Sequence, residues 1–229
     1  MTEGLFITGT DTGCGKTYVC CEILNHLGTQ GLDVVGLKPI ASGADLKDGC
    51  LQNDDVKLLH KNSNIEIEER DVCRYLFPEP CSPHIASSIN NTEIEIDKIC
   101  KFVNDFKDKS DMVIVEGIGG WHVPINSQEM VCDLAVKLDI PVILVISNKL
   151  GCLNHASLTL EAIFKSGVQL FGWVLNRLTN DVVAAHAVES SLEKIMGSVP
   201  LLTIDFNNQN TDPRQFEVLR KLVGSTCLD

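Results

Sequence analysis

The sequence predicts an α/β fold, a mostly parallel sheet with helices on both faces, in a single domain over residues 1–229. Short apolar runs that read as strands alternate along the chain with longer segments of helical spacing. Apolar residues make up 44% of the chain and aromatics only 5%, so Ile, Leu and Val supply the core, as in a buried parallel sheet. No linker-like stretch, internal repeat or low-complexity tract divides the 229 residues.

The elements follow in order. Leu5-Phe6-Ile7-Thr8 is a buried strand that ends at Gly9. Residues 17–30 place Val19, Ile23, Leu24 and Leu27 at helical spacing, and Gly31 stops the helix. Val34-Val35-Gly36-Leu37 is a second strand. Residues 42–53 form a polar loop rich in Gly, Asp and Ser, and Val56-Lys57-Leu58-Leu59-His60 suggests a short helix. Residues 62–91 spell no clear element. Within them Phe77-Pro78-Glu79-Pro80-Cys81-Ser82-Pro83-His84 is barred from regular helix by its prolines.

Residues 94–106 form an amphipathic helix with Ile96, Ile99, Cys100, Val103 and Phe106 on one side. Met112-Val113-Ile114-Val115 is a fully apolar strand closed by Glu116-Gly117. Residues 131–138 are helical, 141–146 are the most strand-like run, and 155–165 are helical again. Residues 170–175 form a strand ending at Asn176, and 182–196 a helix. Residues 199–202 read as a last strand and 216–223 as a last helix. In such a sheet ligands bind beyond the carboxyl ends of the strands, where every motif below falls.

A formal charge of −12 with no local basic patch repels nucleic acid and anionic lipid, so neither is an expected partner. The 10 cysteines contain no C-x-x-C pair, which speaks against a zinc ribbon. Set among apolar neighbours, as in Tyr18-Val19-Cys20-Cys21, they read as small buried hydrophobes in a reducing, cytoplasmic compartment. The start shows no secretory signal, and the apolar run 140–146 is too short to span a membrane. The histidines show no metal-ligand spacing.

The chemistry begins at Gly9-Thr10-Asp11-Thr12-Gly13-Cys14-Gly15-Lys16-Thr17, between a strand and a helix. Glycines there let main-chain amides turn toward a polyphosphate, and the helix N-terminus adds partial positive charge. Lys16 is placed to reach the β- and γ-phosphates of ATP, and the Thr17 hydroxyl to bind Mg²⁺. The common phosphate-loop pattern leaves four residues between its first Gly and Gly-Lys; here Gly9 leaves five, with Thr10 at the usual glycine position. Cys14 reads as a packing residue.

Glu116 ends an apolar strand, where a carboxylate either faces a cation such as Mg²⁺ or caps the next turn. Gly117, Gly119 and Gly120 allow close approach of backbone to ligand. Asp54-Asp55 either reaches the metal or serves as a helix N-cap. Lys38 is either a fixed ammonium at the ligand edge or a surface lysine before Pro39.

These blocks come in one order. Gly-Thr-Asp-Thr-x-x-Gly-Lys-Thr is followed by Lys38-Pro39-Ile40-Ala41-Ser42-Gly43, Asn53-Asp54-Asp55, Glu79-Pro80-Cys81-Ser82-Pro83-His84, Val115-Glu116-Gly117-Ile118-Gly119-Gly120-Trp121, and Lys149-Leu150-Gly151-Cys152-Leu153-Asn154-His155-Ala156. The ordered set covers most of residues 5–176 and resembles the dethiobiotin synthetases, in the P-loop NTPase superfamily.

That resemblance implies a ligase of biotin biosynthesis. Its members take 7,8-diaminopelargonic acid, CO₂ or bicarbonate, and ATP to dethiobiotin, ADP and phosphate, through a carbamate and a carbamic-phosphoric anhydride. It implies catalytic roles for Lys16, Lys38 and Thr12, and Mg²⁺ ligation by Thr17, Asp55 and Glu116. Nucleotide contacts are implied at Thr12, Gly13, Cys14, Gly15, Lys16, Thr17, Asp55, Glu116, Gly117, Ile118, Gly119, Asn176 and Arg177. Substrate contacts are implied at Lys38 and Ser42, and at Gly151, Cys152, Leu153 and Asn154, which in the family act across a homodimer interface. Residues 201–212, where the family helps hold the base, do not align.

Two other classes share parts of this pattern. Partitioning and site-placement ATPases carry a signature lysine five residues before the P-loop lysine, and that position here is Asp11. Amide ligases of the cobyrinate type usually add a glutaminase domain, for which 229 residues leave no room.

Overall fold

The structure is a computed structural model in which residues 4–178 and 185–206 are described. Six strands form one sheet in the order β10-β9-β8-β1-β7-β2, with every neighbouring pair parallel. They are β1 (Gly4–Gly9), β2 (Val34–Leu37), β7 (Met112–Glu116), β8 (Val142–Ser147), β9 (Leu170–Asn176) and β10 (Leu202–Ile204). Two small sheets lie apart from it: β3 (Ile40–Ala41) pairs with β6 (Tyr75–Leu76), and β4 (Asp45–Lys47) with β5 (Cys50–Gln52).

The alternation of side chains along the strands builds a core on each face. Leu5 and Ile7 of β1 point to one face, where they meet Val19, Ile23, Leu24 and Leu27 of α1 (Lys16–Thr29) and Val56 and Leu59 of α2 (Asp54–Asn62). Phe6 points to the other, with Val113 and Val115. That face is covered by α4 (Ile96–Lys107), α5 (Val131–Leu138), α6 (Cys152–Ser166) and α7 (Ala185–Met196). Strands buried on both sides are apolar at nearly every position; β1, β2, β7 and β8 are buried throughout, with the polar Thr8, Glu116 and Ser147 only near their carboxyl ends.

Several elements depart from the sequence reading. The polar stretch 42–53 contains the hairpin β4–β5, turned by Asp48 (φ 52°) and Gly49 (φ 79°). Both central residues have positive φ, as a two-residue primed turn requires. Asn53, rather than Asp54 or Asp55, caps α2: its side chain accepts from the amides of Asp55 and Val56. Pro83 and His84, expected outside helix, open α3 (Pro83–Ile89). Proline at the first helical position lacks an N–H that would have had no helical partner anyway. Residues 69–71 form a single 3-10 turn.

The last strand, β10, begins at Leu202 rather than at residue 199. Val199 is exposed, Pro200 has no amide to donate, and main-chain bonding to β9 starts where the Leu201 amide donates to Trp173 O at 2.8 Å. The described part of the 182–196 helix begins at Ala185, and the expected helix at 216–223 lies outside the described residues.

Gly36 marks where the fold tolerates no side chain. A Cβ there would stand 2.7 Å from Leu24 Cδ1 and 3.0 Å from Leu59 Cδ2, the point where α1 and α2 meet over β2. Gly36→Val is expected to destabilise the protein by about 1–3 kcal/mol through overpacking. A urea titration reads this as a lower midpoint at unchanged slope.

Candidate active site

The sheet order puts β1 between β7 and β8, so the loop after β1 opens beside the ends of both neighbours. Ile7 is in register with Glu116, and the Gly117 amide donates to Ile7 O at 2.9 Å. This is where the strand order reverses direction, the place where open parallel sheets bind ligands.

The loop 9–17 leaves β1 and enters α1 through Gly13 (φ 73°) and Gly15 (φ 95°), conformations that favour glycine. Gly15 is the N-cap of α1 and supplies no side-chain cap, so the helix N-terminus offers its partial positive charge to an anion. A Cβ on Gly9 would stand 2.2 Å from the Cys14 sulfur, and one on Gly15 would stand 1.9 Å from Asn176 Nδ2. Cys14 is therefore a buried packing residue, as the sequence suggested. Asn176 donates through Nδ2 to Cys14 O at 2.9 Å and ties the loop to the end of β9.

Lys16 is buried and donates to Gly119 O at 2.7 Å and to Asp11 O at 3.2 Å. Those carbonyls hold its ammonium at the loop, between the phosphate-loop backbone and the glycine turn after β7. The carboxylate of Asp11 is engaged as well, by the Thr12 amide at 2.7 Å and by Lys149. The bond from Lys149 holds the Asp11 carboxyl below the usual carboxylate range.

The charged centre lies opposite. Lys38 Nζ sits 2.6 Å from Asp55 Oδ2 and 2.5 Å from Glu116 Oε1. Thr17 Oγ1 donates to the same Glu116 oxygen at 2.9 Å. Lys38 and Glu116 are buried, and Asp55 is partly exposed. Burial works against the charge on Lys38, but Glu116 and Asp55 overcome it and hold the ammonium above the ordinary lysine range. Burial likewise pushes the Asp55 carboxyl up, and the Lys38 ammonium reverses this and leaves it low. Lys38 is thus a fixed cation, and the alternative of a surface lysine falls away.

The residues fit a magnesium ion. Two carboxylates and a hydroxyl converge, all hard oxygen donors, and Mg²⁺ typically takes one or two carboxylates and fills its octahedron with phosphate and water. Glu116 Oε2 is buried with no hydrogen-bond partner among the described residues, so a lone pair waits for a cation.

These groups line one cavity of about 730 Å³. Thr12, Gly13, Gly15, Lys16, Thr17, Lys38, Ser42, Asp55, Glu116, Ile118 and Gly119 all reach its wall.

A family described as an AAA domain matches residues 3–208. The ATP-dependent dethiobiotin synthetase BioD of Nitrosospira multiformis is 39% identical over 219 residues, which cover 96% of this chain and 95% of that protein. The chain belongs to the dethiobiotin synthetase family. The synthetase of Wigglesworthia glossinidia brevipalpis is 35% identical and covers 97% of this chain and 100% of its own. Among solved structures, the hydrogenase maturation factor HypB of Archaeoglobus fulgidus aligns with a TM-score of 0.58 at 13% identity, covering 97% of this chain and 91% of its own. The septum site-determining protein MinD of Pyrococcus horikoshii aligns at 0.55 with 17% identity, over 90% and 82%. At such identities the likeness speaks to fold alone, the P-loop NTPase sheet.

Not every position marked by the synthetase resemblance faces the cavity. Gly117 packs against Phe6 behind the wall, and Asn176 lies beneath the phosphate loop. Arg177 is held by Glu189 of α7 at 2.6 Å and by Asp205 at 2.5 Å, so its guanidinium bridges α7 to the end of β10. Gly151, Cys152, Leu153 and Asn154 open α6 outside the cavity. Gly151 is the N-cap of that helix, with φ 93° and no side-chain cap, and the Cys152 amide donates to Lys149 O at 3.0 Å. The preceding Leu150 is fully exposed.

The cavity also takes in residues that the sequence reading did not assign. Pro80, Cys81, Ser82 and Pro83 form one wall, and Tyr18 and Leu58 the rim. The motif Glu79-Pro80-Cys81-Ser82-Pro83-His84 marked the first group, but nothing in its local pattern said which way it faced. Among the described residues all nine cysteines are free, no cluster of His, Cys, Asp and Glu forms a separate metal site, and no helix is long and apolar enough to cross a membrane.

Proposed function

We propose that this protein is a cytoplasmic ATP-dependent dethiobiotin synthetase that closes the ureido ring on 7,8-diaminopelargonic acid with CO₂ or bicarbonate. Family membership supports the overall reaction. The observation that carries the site assignment is the buried ammonium of Lys38 between Asp55 and Glu116, across one cavity from Lys16 and the phosphate loop.

The loop amides and Lys16 hold the triphosphate. Thr17, Asp55 and Glu116 hold Mg²⁺, which when bound supplies charge neutralisation for the transferring phosphoryl group. One amine of the substrate takes up CO₂ as a carbamate, which is anionic, as is the γ-phosphate it must approach. Lys38 offsets that repulsion, and the hydroxyls of Thr12 and Ser42 orient the carbamate. Phosphoryl transfer gives a mixed anhydride. The second amine attacks its carbonyl carbon, expels phosphate and closes the ring.

Asp55 and Glu116, the two carboxylates that would hold the metal, are also the partners of the Lys38 ammonium, so both cations would stand at the same edge of the cavity. The start of α6, at Gly151, Cys152, Leu153 and Asn154, takes the substrate carboxylate in a homodimer, with the helix of one protomer serving the cavity of its partner.

Incubation with the diamine, ATP, Mg²⁺ and ¹³C-bicarbonate tests this reading. Dethiobiotin carrying one ¹³C in its ring is the expected product. A product without the label, or no product from the diamine, would contradict it.

A further inference from the structure

Ser42 and Asp55 reach the cavity from opposite ends of the β4–β5 hairpin, and one side chain spans its base. Asn53 Oδ1 accepts from the Asp55 amide at 3.1 Å and from the Val56 amide at 3.3 Å. Its Nδ2 donates to Ser42 O at 3.4 Å. The residues beside Ser42 are fixed from the other side, because Gly43 N donates to Glu79 O at 3.1 Å and Ala44 N to Phe77 O at 3.0 Å. The hairpin between, with the pairs Asp45–Gln52, Leu46–Leu51 and Lys47–Cys50, is exposed at β4 and half-buried along most of β5. A ladder of three pairs at the surface is marginal by itself, so it does not fix the distance between the chain ends that it joins.

The geometry points to Asn53 as a positioning residue that sets the spacing between the Ser42 hydroxyl and the Asp55 carboxylate. Asn53 does not line the cavity. It acts on both sides through one planar amide: the oxygen orients the first turn of α2, and with it the Asp55 carboxylate on Lys38; the nitrogen holds the chain at Ser42. The roles of Ser42 and Asp55 rest on the synthetase reading above.

The two functions of the amide separate in two variants of the full-length protein. Asn53→Ser keeps an oxygen that caps α2 but is too short to hold Ser42 O at the same time. Asn53→Ala removes both. Asn53→Ser is expected to keep the dissociation constant for Mg²⁺-ADP and the thermal midpoint close to those of the parent. Its KM for the diamine is expected to rise about 5- to 10-fold, the size of one lost positioning hydrogen bond. Asn53→Ala is expected to add a fall of about 5- to 10-fold in Mg²⁺-ADP affinity, with ADP affinity in EDTA unchanged, because only the metal ligand has moved.

A diamine KM for Asn53→Ser within twofold of the parent would overturn the Ser42 half of the assignment. Equal losses of ADP affinity with and without Mg²⁺ in Asn53→Ala would overturn the Asp55 half. A parent enzyme with no diamine-dependent turnover would instead strike the synthetase reading and the Ser42 half with it, and the ADP titrations still decide the Asp55 half.

Discussion

Lys38→Met is expected to lower kcat by about 100- to 1,000-fold while the dissociation constant for Mg²⁺-ATP moves by less than about threefold. The methionine keeps the apolar stem of the side chain and deletes the ammonium with its charge and its two hydrogen bonds. That charge is most needed when carbamate and γ-phosphate oxygens are forced together, and less so when the nucleotide binds to loop amides and Lys16. A selective loss in kcat is the signature of an interaction made in the transition state.

A second consequence follows from burial. Without metal, Lys38 is the cation nearest the buried Glu116, and removing it leaves that carboxylate uncompensated. Breaking a buried pair from one side typically costs about 3–5 kcal/mol. The variant is therefore expected to unfold at lower temperature in EDTA and to recover most of the difference when Mg²⁺-ADP is added. A normal turnover number in Lys38→Met would refute the role given to this lysine.

Glu116→Gln is expected to weaken Mg²⁺-dependent nucleotide binding by at least about 100-fold. Outer-shell partners of bound metals are already worth about 10- to 100-fold in affinity, and a direct ligand is expected to exceed that. The amide keeps the shape and a hydrogen-bond acceptor for Thr17 and Lys38, so packing at the end of β7 survives. What it loses is the second lone-pair oxygen that now has no partner, Oε2. Titrating a fluorescent ADP analogue with and without Mg²⁺ separates the two contributions. The metal-free affinity is expected to stay near that of the parent. Equal binding of Mg²⁺-nucleotide by parent and variant would remove Glu116 from the metal site.

The sheet was legible because parallel strands covered on both faces are apolar along nearly their whole length. Met112-Val113-Ile114-Val115 and the run ending at Ile146 have no other economical reading. The phosphate loop was legible because its chemistry is local: glycines, lysine and threonine are neighbours in sequence and in space. Lys38 and Glu116 could be placed at strand ends, but their mutual contact could not, because 78 residues separate them.

The hairpin at 45–52 was missed although Asp48-Gly49 is a strong turn signal. Its strands are short and largely exposed, so they lack the apolar alternation that marks a half-buried strand. Asn53 was missed as the cap because the two acidic residues after it are equally good caps by type, and only the bonds to Asp55 N and Val56 N decide among them. The commitment of Arg177 to Glu189 and Asp205 depends on how α7 and β10 pack, which local pattern does not encode.

Phosphate release measured in the four combinations of diamine and bicarbonate tests the synthesis reaction most directly. With ATP and Mg²⁺ present throughout, release is expected to require the diamine, to rise when bicarbonate is added, and to match dethiobiotin formed mole for mole. Vigorous ATP hydrolysis without the diamine, unaffected by bicarbonate, would contradict the account and place the chain among nucleotide-driven switches built on the same sheet.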